Sequence, residues 1–594
     1  MLDQRNLLLA VVLSLAILLI FEMFLAPEWI PPQAPQTTET TQPQQAGSAP
    51  SPVPGTVPGS VPGPALGGLA TAGMERPTAL EQSARVEIEN ASVFGSISLT
   101  GGRLDDLVLS KYRETVEPDS PNIILLHPIG VTQPYYTDFG WSAGDSGVAT
   151  PKPDTQWQSH GNLLTPDRPV TLWWDNGQGL RFERTYAIDD DYMFEVTQRV
   201  INSGTQAVTL SPYGLVSRTG TPDILGFYIL HEGPIGVFNN TLEEIDYSDV
   251  QDDGVINYET TGGWIGITDK YWQVALIPDQ QKPVKARFVH EVRNEQDKYQ
   301  SDYLYEPIAI PAGGTAEVTS RLFAGAKEVL QLDGYRDNLG IARFDRSVDF
   351  GWFYFLTKPL FYALHYIAQM VGNFGVAILI LTVFIKIVFF PLANKSYAAM
   401  AKMRKVQPEM LKLRERYGDD KQRLNQEMMA LYKREGANPM SGCLPIVIQI
   451  PVFFALYKVL FVTIEMRHAP FFGWIQDLSA RDPTSILNGF GLFPWGVPDL
   501  GALEVISLGI WPILMGLTMY LQQKLNPQPA DPLQAKIFLF MPIIFTFLLA
   551  TFPAGLVIYW TWNNLLSIIQ QAVIMKRAGV PLGNPAAPSN PGKT

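Results

Sequence analysis

Lys386 is the residue whose position points most directly to chemistry, because it lies inside an otherwise apolar run over residues 374–392. A cation deep in hydrocarbon costs about 2.5–3.5 kcal/mol on insertion scales, and such residues usually face a bundle interior or a water-filled cavity. The sequence contains no metal-ligand cluster, nucleophile triad or phosphate-binding loop. The chemistry expected of Lys386 is therefore electrostatic attraction of acidic peptide segments.

Other polar residues occur in apolar segments at helical spacing. Thr382 lies one turn before Lys386 and shares its helix face. The remaining members are Gln449 in a second apolar segment and Tyr559, Trp560, Asn563, Asn564, Ser567 and Gln571 in the last one. Polar groups inside a membrane must find partners or water. A shared cavity around Lys386 would satisfy all of them together.

An alternative for Lys386 is that its side chain reaches the headgroups. It lies about six residues from the nearer end of the run, or about 9 Å at 1.5 Å per residue, and a lysine stem nearly covers that distance. The polar stripe on the last segment favours instead a water-accessible groove, open at the same end of the bundle. The five predicted spans from residue 374 onward contain no Asp or Glu that could neutralise the lysine, so this groove would remain positive.

Six segments are predicted as membrane spans: 1–25, 374–392, 444–462, 505–521, 537–551 and 555–575. Most approach the roughly 17–25 residues that cross a bilayer, whereas 537–551 is short. A cleaved signal peptide is the alternative for the first segment. Because no small-x-small cleavage site follows Phe24, an uncleaved signal anchor over 1–25 is favoured.

Charge in the loops predicts the orientation. Residues 393–443 hold 11 Lys and Arg against 6 Asp and Glu, and residues 463–505 hold 2 against 5. The basic loop is therefore expected in the cytoplasm and the loop 463–504 in the periplasm. Alternation places both termini, the loop 522–536 and the short tail 576–594 in the cytoplasm. These assignments predict a multi-pass protein of a bacterial inner membrane.

The segment between the first two spans is predicted to be periplasmic and mostly β-structured. Residues 26–352 carry a net charge of −21 and the rest of the chain +8, and the single cysteine, Cys443, excludes an internal disulfide. Residues 26–83 are rich in Pro, Gln and Gly, which predicts a flexible linker. Residues 84–350 show alternating strands separated by turn signals, which predicts a large antiparallel β-sandwich.

Two further helical elements are predicted beside the spans. Residues 351–373 are rich in aromatic side chains, which predicts an amphipathic helix at the outer interface. Residues 393–443 carry two apolar stripes at helical spacing, which predicts a cytoplasmic hairpin with Asp420 as a candidate cap. This hairpin is either a solvated charged arm or a docking arm for a ribosome, a nascent chain or anionic lipid. The docking residues would be the basic ones: Lys402, Arg404, Lys405, Arg414 and Arg416.

Several long motifs carry a family resemblance. They cover Asn394–Gly442, Asn438–Pro451 and Phe552–Trp560, and they resemble the bacterial YidC-type membrane protein insertases of the YidC/Oxa/Alb family. The resemblance covers the whole chain and implies a polytopic α-helical protein of six spans: a signal anchor, a large periplasmic domain and a five-span core. It implies an insertase and chaperone for inner-membrane proteins that acts alone or with the Sec translocon. It also implies that Lys386 replaces the usual groove arginine, which keeps the charge and loses the bidentate fork.

The resemblance implies nascent membrane proteins, the ribosome, the Sec translocon with its accessory subunits and the phospholipid bilayer as partners. No cofactor, metal, enzymatic activity or sequence-specific nucleic-acid partner is expected. A secondary transporter is the alternative function, yet it would need paired intramembrane acids or inverted repeats, which the sequence lacks. An intramembrane hydrolase would need a nucleophile–base pair or a metal site, and the membrane half contains only His365 and His468.

Overall fold

The computed structural model describes residues 73–579 except 145–146, 225–229, 419, 437–443, 494, 496, 498–505 and 527–531; for residues 421, 444–448 and 532–535 it describes only the backbone. The described residues form two compact units, which divide between Ser347 and Val348. The loop 115–120 is grouped with the second unit. The predicted signal anchor 1–25, most of the predicted linker and the tail beyond residue 579 lie outside the described residues.

The first unit consists of two β-sheets. Its strands are β1 Arg85–Glu89, β2 Val93–Ser98, β3 Leu104–Arg113, β4 Asn122–Leu126, β5 Tyr135–Ser142, β6 Gln158–His160, β7 Leu163–Leu164, β8 Val170–Asp175, β9 Leu180–Ile188, β10 Met193–Asn202, β11 Val208–Thr219, β12 Gly233–Phe238, β13 Thr241–Glu244, β14 Val255–Thr261, β15 Trp264–Thr268, β16 Trp272–Ile277, β17 Pro283–Arg293, β18 Gln296–Tyr305, β19 Ile308–Ile310 and β20 Thr315–Ala326. Three helices accompany them: α1 Arg76–Leu80, α2 Tyr247–Asp253 and α3 Val329–Leu339.

The sheets confirm the predicted antiparallel β-sandwich. One sheet has the order β14-β17-β18-β11-β5-β3-β2-β1-β7, with β19 on β11 and β4 on β3, and the other β13-β12-β15-β16-β20-β10-β9-β8-β6. Only β1 and β7, among the strand pairs described, run parallel. β9 shows why the sequence alternates, since every second side chain from Leu180 to Ile188 is buried.

The predicted linker 26–83 is partly wrong at its end. Residues 76–80 form α1, with Pro77 in its first turn, where proline is tolerated. The Arg76 Nε lies 3.0 Å from the Asp106 Oδ1, and the Ala79 side chain is buried. These contacts hold the end of the predicted linker against the sandwich.

The second unit is helical. Its helices are α4 Tyr354–Val371, α5 Phe374–Val388, α6 Phe390–Tyr417, α7 Lys421–Glu435, α8 Leu444–Val462, α9 Ile510–Leu525, α10 Pro532–Leu548 and α11 Ala554–Arg577. α4 lies in the predicted interfacial segment 351–373 and carries exposed apolar side chains at Phe355, Tyr366 and Met370. An ion pair of 2.6 Å between the Lys458 Nζ and the Asp349 Oδ2 joins α8 to the segment before α4.

The predicted span 374–392 is interrupted. α5 ends at Val388, α6 begins at Phe390, and the two helices are bent by 70°. Pro391, in the first turn of α6, has no N–H to bond back and its ring crowds the preceding turn, which explains the break. The predicted hairpin therefore begins at residue 390 instead of 393. Within the described part of the chain, no helix alone is long and apolar enough to span a membrane, whereas α5 and α6 meet that test as a bent pair.

The predicted span 505–521 is displaced, because α9 begins at Ile510. The Asp482 Oδ2 accepts the backbone N–H of Trp511 at 2.8 Å, and the Thr484 Oγ1 accepts that of Ile510 at 3.0 Å. These acceptors cap the helix and fix its first turn. The last two predicted spans, 537–551 and 555–575, correspond to longer helices, α10 followed by a short turn over Leu549–Thr551, and α11.

Candidate functional site

Lys386 lies in the last turn of α5 and points at α11. Its Nζ donates to the Ser567 Oγ at 2.8 Å, and the Ser567 Oγ donates to the carbonyl of Asn563 at 2.8 Å. The Lys386 side chain is half-buried, and Ser567 is buried. Among the described residues, no carboxylate pairs with this ammonium group. A cation at a helix C-terminus is also favoured by the helix dipole.

Thr382 takes a different part from the one predicted. It lies one turn before Lys386, yet its side chain is buried and its hydroxyl donates to the carbonyl of Ile378 in the same helix at 2.7 Å. Such back-bonding satisfies a hydroxyl inside an apolar environment. Thr382 therefore packs inside the helix bundle beside the lysine and does not present its hydroxyl to a groove.

Gln449, Tyr559 and Trp560 meet between α8, α10 and α11. The Gln449 Nε2 donates to the Tyr559 hydroxyl at 2.5 Å, which joins α8 to α11. The half-buried Trp560 ring lies 4.7 Å from the ring of Phe453 and 5.9 Å from that of Phe545, measured between centroids. These contacts place an aromatic surface on α11 between α8 and α10.

The other polar residues of α11 bond to α9. The Asn564 Nδ2 lies 3.3 Å from the Thr518 Oγ1, and the Gln571 Nε2 donates to the Leu525 carbonyl at 3.2 Å. The stripe of polar residues on α11 is therefore not satisfied through one shared cavity, and a groove formed by Lys386 with these residues stays a prediction. The members of the stripe pair separately with α5, α8 and α9, because direct interhelical hydrogen bonds satisfy polar groups in a membrane.

Tyr397 is a site residue that sequence reasoning missed. It is buried on α6, and its hydroxyl hydrogen-bonds Ser567, the residue that also bonds Lys386. The bend at Phe389 brings the base of the hairpin to the end of α5, so residues 11 positions apart meet at one serine. Only the bend could have indicated this contact, and the sequence predicted a straight span there.

α6 and α7 form the predicted hairpin. Val406 and Met410 of α6 and Leu431 of α7 are buried against one another, as the two apolar stripes predict. The predicted cap is confirmed, since the Asp420 Oδ1 accepts the backbone N–H of Arg423 at 3.0 Å. Lys402, Lys405 and Arg416 are exposed on this hairpin, and Arg414 is half-buried.

Arg404 corrects the predicted set of docking residues. Its side chain is buried, and its Nη1 donates to the Leu525 carbonyl at the end of α9 at 3.0 Å and lies 3.8 Å from the Met575 Sδ. Arg404 and Ala401 are three residues apart and so share the helix face that packs on the bundle, whereas Lys402 and Lys405 point away from it. Burial lowers the Arg404 pKa, although the guanidinium stays charged. Arg404 therefore anchors the hairpin to the bundle.

We expect Arg404→Ala to loosen the hairpin, because it removes a charged hydrogen bond to the Leu525 carbonyl. The loss of this bond should weaken the packing of the hairpin on the bundle by about 1–3 kcal/mol. Trypsin should then cleave α6 and α7 faster in the purified protein. Lys405→Ala is the matched control, because it also removes one cation from α6 but from the exposed face. Equal cleavage rates for the two variants would contradict the anchoring role.

Two family models, several named relatives and a solved structure are similar to this chain. The family model described as the YidC periplasmic domain matches residues 85–363, and the one described as 60Kd inner membrane protein matches residues 366–580. A protein of Beijerinckia indica, named membrane protein insertase YidC, is 52% identical over 97% of this chain and 96% of its own length. One of Methylorubrum extorquens with the same name is 50% identical at the same coverage. A crystal structure of an active YidC insertase is 18% identical and covers 83% of this chain and 92% of that one, with a TM-score of 0.34.

Proposed function

The chain belongs to the YidC family of membrane protein insertases, and from this premise we propose that Lys386 makes a positively charged groove that receives its clients. As a member of this family it inserts and folds inner-membrane proteins and carries a periplasmic β-sandwich. The alternative of a secondary transporter is not supported, because relatives at about half identity over nearly the whole chain are named insertases.

The proposed topology has six spans. The bent pair α5 and α6 would leave the membrane at Phe389, and α8, α9, α10 and α11 would supply four of the other spans. The predicted signal anchor 1–25 would supply the sixth, with both termini and the hairpin in the cytoplasm. The 11 basic residues of the loop 393–443 support this orientation.

The observation that carries the proposed mechanism is the environment of Lys386. Its ammonium bonds a neutral serine hydroxyl and no carboxylate among the described residues, so its charge is not neutralised locally. The acidic translocated tail of a client would be attracted into the groove and held there briefly. A tail held in the groove has less hydrocarbon left to cross. The attraction between the tail and Lys386 is stronger there than in bulk water, because charged groups interact more strongly where water is scarce.

The client's apolar segment would then move into lipid along α8 and α10. Both helices present exposed apolar side chains, among them Ile450 and Phe454 on α8 and Ile543 and Ile544 on α10. Burial of apolar surface in the bilayer would drive this step. We propose that no hydrolysis and no cofactor is involved.

The hairpin is the proposed docking arm for the ribosome. Lys402, Lys405 and Arg416 are exposed on it, and Arg404 and Tyr397 hold its base beside the groove. The Sec translocon and its accessory subunits are proposed as partners on the strength of the family alone. The bilayer is the remaining partner, and no sequence-specific contact to nucleic acid is proposed.

Photocrosslinking to a stalled nascent client tests the position of the groove. We expect a photoreactive phenylalanine analogue at Trp560 to capture a client with an acidic tail strongly. The same analogue at Ile569, which is exposed nine residues later on the opposite side of α11, is expected to capture it weakly. Equal capture at both positions, or capture unaffected when the acidic residues of the tail are neutralised, would refute the groove.

A further inference from the structure

The segment between α8 and α9 exposes a group of apolar side chains. The proposed insertase mechanism does not use this segment. Phe490, Leu492, Phe493 and Trp495, here called the aromatic knob, are 38%, 87%, 49% and 53% exposed. The rings of Phe493 and Trp495 are stacked, with centroids 4.5 Å apart and planes at 5°. No charged residue occurs in the sequence between Asp482 and Asp499. Large apolar side chains exposed together mark an interaction surface.

The local backbone presents these side chains outward. Gly489 and Phe490 both have left-handed backbone conformations, at φ 59° and 60°. A Cβ at Gly489 would lie 2.7 Å from the ring of Phe493, so glycine is required for this turn. The Trp495 Nε1 donates to the Leu487 carbonyl at 3.2 Å, so its polar N–H is satisfied inside the loop. The outer face of the ring can therefore enter an apolar environment without losing a hydrogen bond.

Hydrogen bonds fix the knob to the start of α9. The Ile486 N–H donates to the Leu508 carbonyl at 2.9 Å, and the hydroxyls of Ser485 and Ser507 lie 2.8 Å apart. The capping contacts of Asp482 and Thr484 on the first turn of α9 lie a few residues earlier in the chain. The knob is thus held at one end of this helix, whose own exposed apolar residues include Leu514, Leu517 and Leu521.

We infer that the aromatic knob inserts into the outer leaflet of the phospholipid bilayer and anchors the outer end of α9 there. This inference rests on the proposed topology, in which α9 spans the membrane and the segment 463–504 is periplasmic. Tryptophan is enriched at membrane–water interfaces, and phenylalanine and leucine line the apolar face of segments that lie in the interface. The knob would continue the lipid-facing surface of α9 into the interface.

A lipid surface fits the knob better than a protein partner does. The cores of protein interfaces are also rich in aromatic side chains, but they are surrounded by a polar rim. The knob instead lies in a stretch without any charged side chain, adjacent to a helix with an apolar outer face. A protein partner is therefore an outcome that the experiment must separate from lipid.

Quenching by nitroxide lipids tests the inference in the full-length protein. Cys443 is the only cysteine, so Cys443→Ser provides a background for a single label. Leu492→Cys carries an environment-sensitive fluorophore in vesicles of phosphatidylethanolamine and phosphatidylglycerol. Leu492 is almost fully exposed, so its replacement should not disturb folding. Leu517→Cys, on the apolar face of α9, and Gln281→Cys, exposed on the sandwich, serve as lipid and water references.

We expect the label at position 492 to emit at shorter wavelength than at 281 and to be quenched several-fold more strongly, as at 517. Strong quenching by nitroxides near the headgroups would support a position in the interface. A label at 492 that is unquenched overturns the inference, whether it emits as in water or as if covered by protein. Client insertion measured in the same vesicles separates this result from a failure of the proposed function, because insertion dependent on Lys386 can persist while the knob stays in water.

Discussion

Lys386→Glu is expected to slow the insertion of clients with acidic translocated tails by more than tenfold. Two unit charges 4 Å apart interact by about 4 kcal/mol at an effective dielectric constant of about 20, and about 1.4 kcal/mol is a factor of ten. Reversal of the charge converts this attraction into repulsion. The variant should still fold, because the Ser567 hydroxyl that accepts from the ammonium can donate to a carboxylate instead.

The measurement is client insertion in cells depleted of the wild-type protein. Lys386→Arg is the matched control, since it keeps the positive charge and is expected to insert the same clients at nearly the normal rate. A client with a neutral tail is the second control, and it should respond weakly to either variant. Normal insertion of an acidic-tailed client by Lys386→Glu would remove the charge from the mechanism.

Asp138→Leu is expected to destabilise the β-sandwich by about 3–5 kcal/mol, because it leaves the buried guanidinium of Arg184 without its counter-ion. The Arg184 Nη1 lies 3.0 Å from the Asp138 Oδ1, and the arginine side chain is 3% exposed. Burial raises the Asp138 pKa, and the adjacent Arg184 opposes that rise. A loss of this size is a large part of the roughly 5–15 kcal/mol that stabilises a typical domain.

Urea unfolding of the full-length protein in detergent, followed by near-UV circular dichroism, measures this loss. Glu317→Ala is the matched control, because the pair of Glu317 with Arg199 is exposed and spans 3.9 Å. It should change the free energy of unfolding by less than about 1 kcal/mol. The double variant Asp138→Leu with Arg184→Met should recover most of the stability, since it removes the buried charge as well. Equal losses of unfolding free energy in Asp138→Leu and Glu317→Ala would show that Arg184 is not effectively desolvated.

Periodicity predicted the elements of this chain wherever one face of an element is buried. Alternation over residues 180–186 predicted a strand that is found as β9, and the two apolar stripes around Met410 and Leu431 predicted the hairpin. Both patterns are local, because a strand or helix repeats its buried positions every two or three to four residues. The bend at Phe389 was missed although Pro391 marks it, because the apolar run continues without interruption across it.

The amino-acid sequence by itself determined that this chain has an acidic β-structured half, a basic helical half and an uncompensated lysine in an apolar segment. Only the tertiary structure decided which groups meet that lysine and which basic residues remain free. Ser567 bonds Lys386 across 181 positions of sequence, and Arg404 of α6 is buried against the end of α9 while its neighbour Lys405 stays exposed. Such partners depend on how separate helices pack, and side-chain spacing along one helix gives the face of a residue but not the element that covers it.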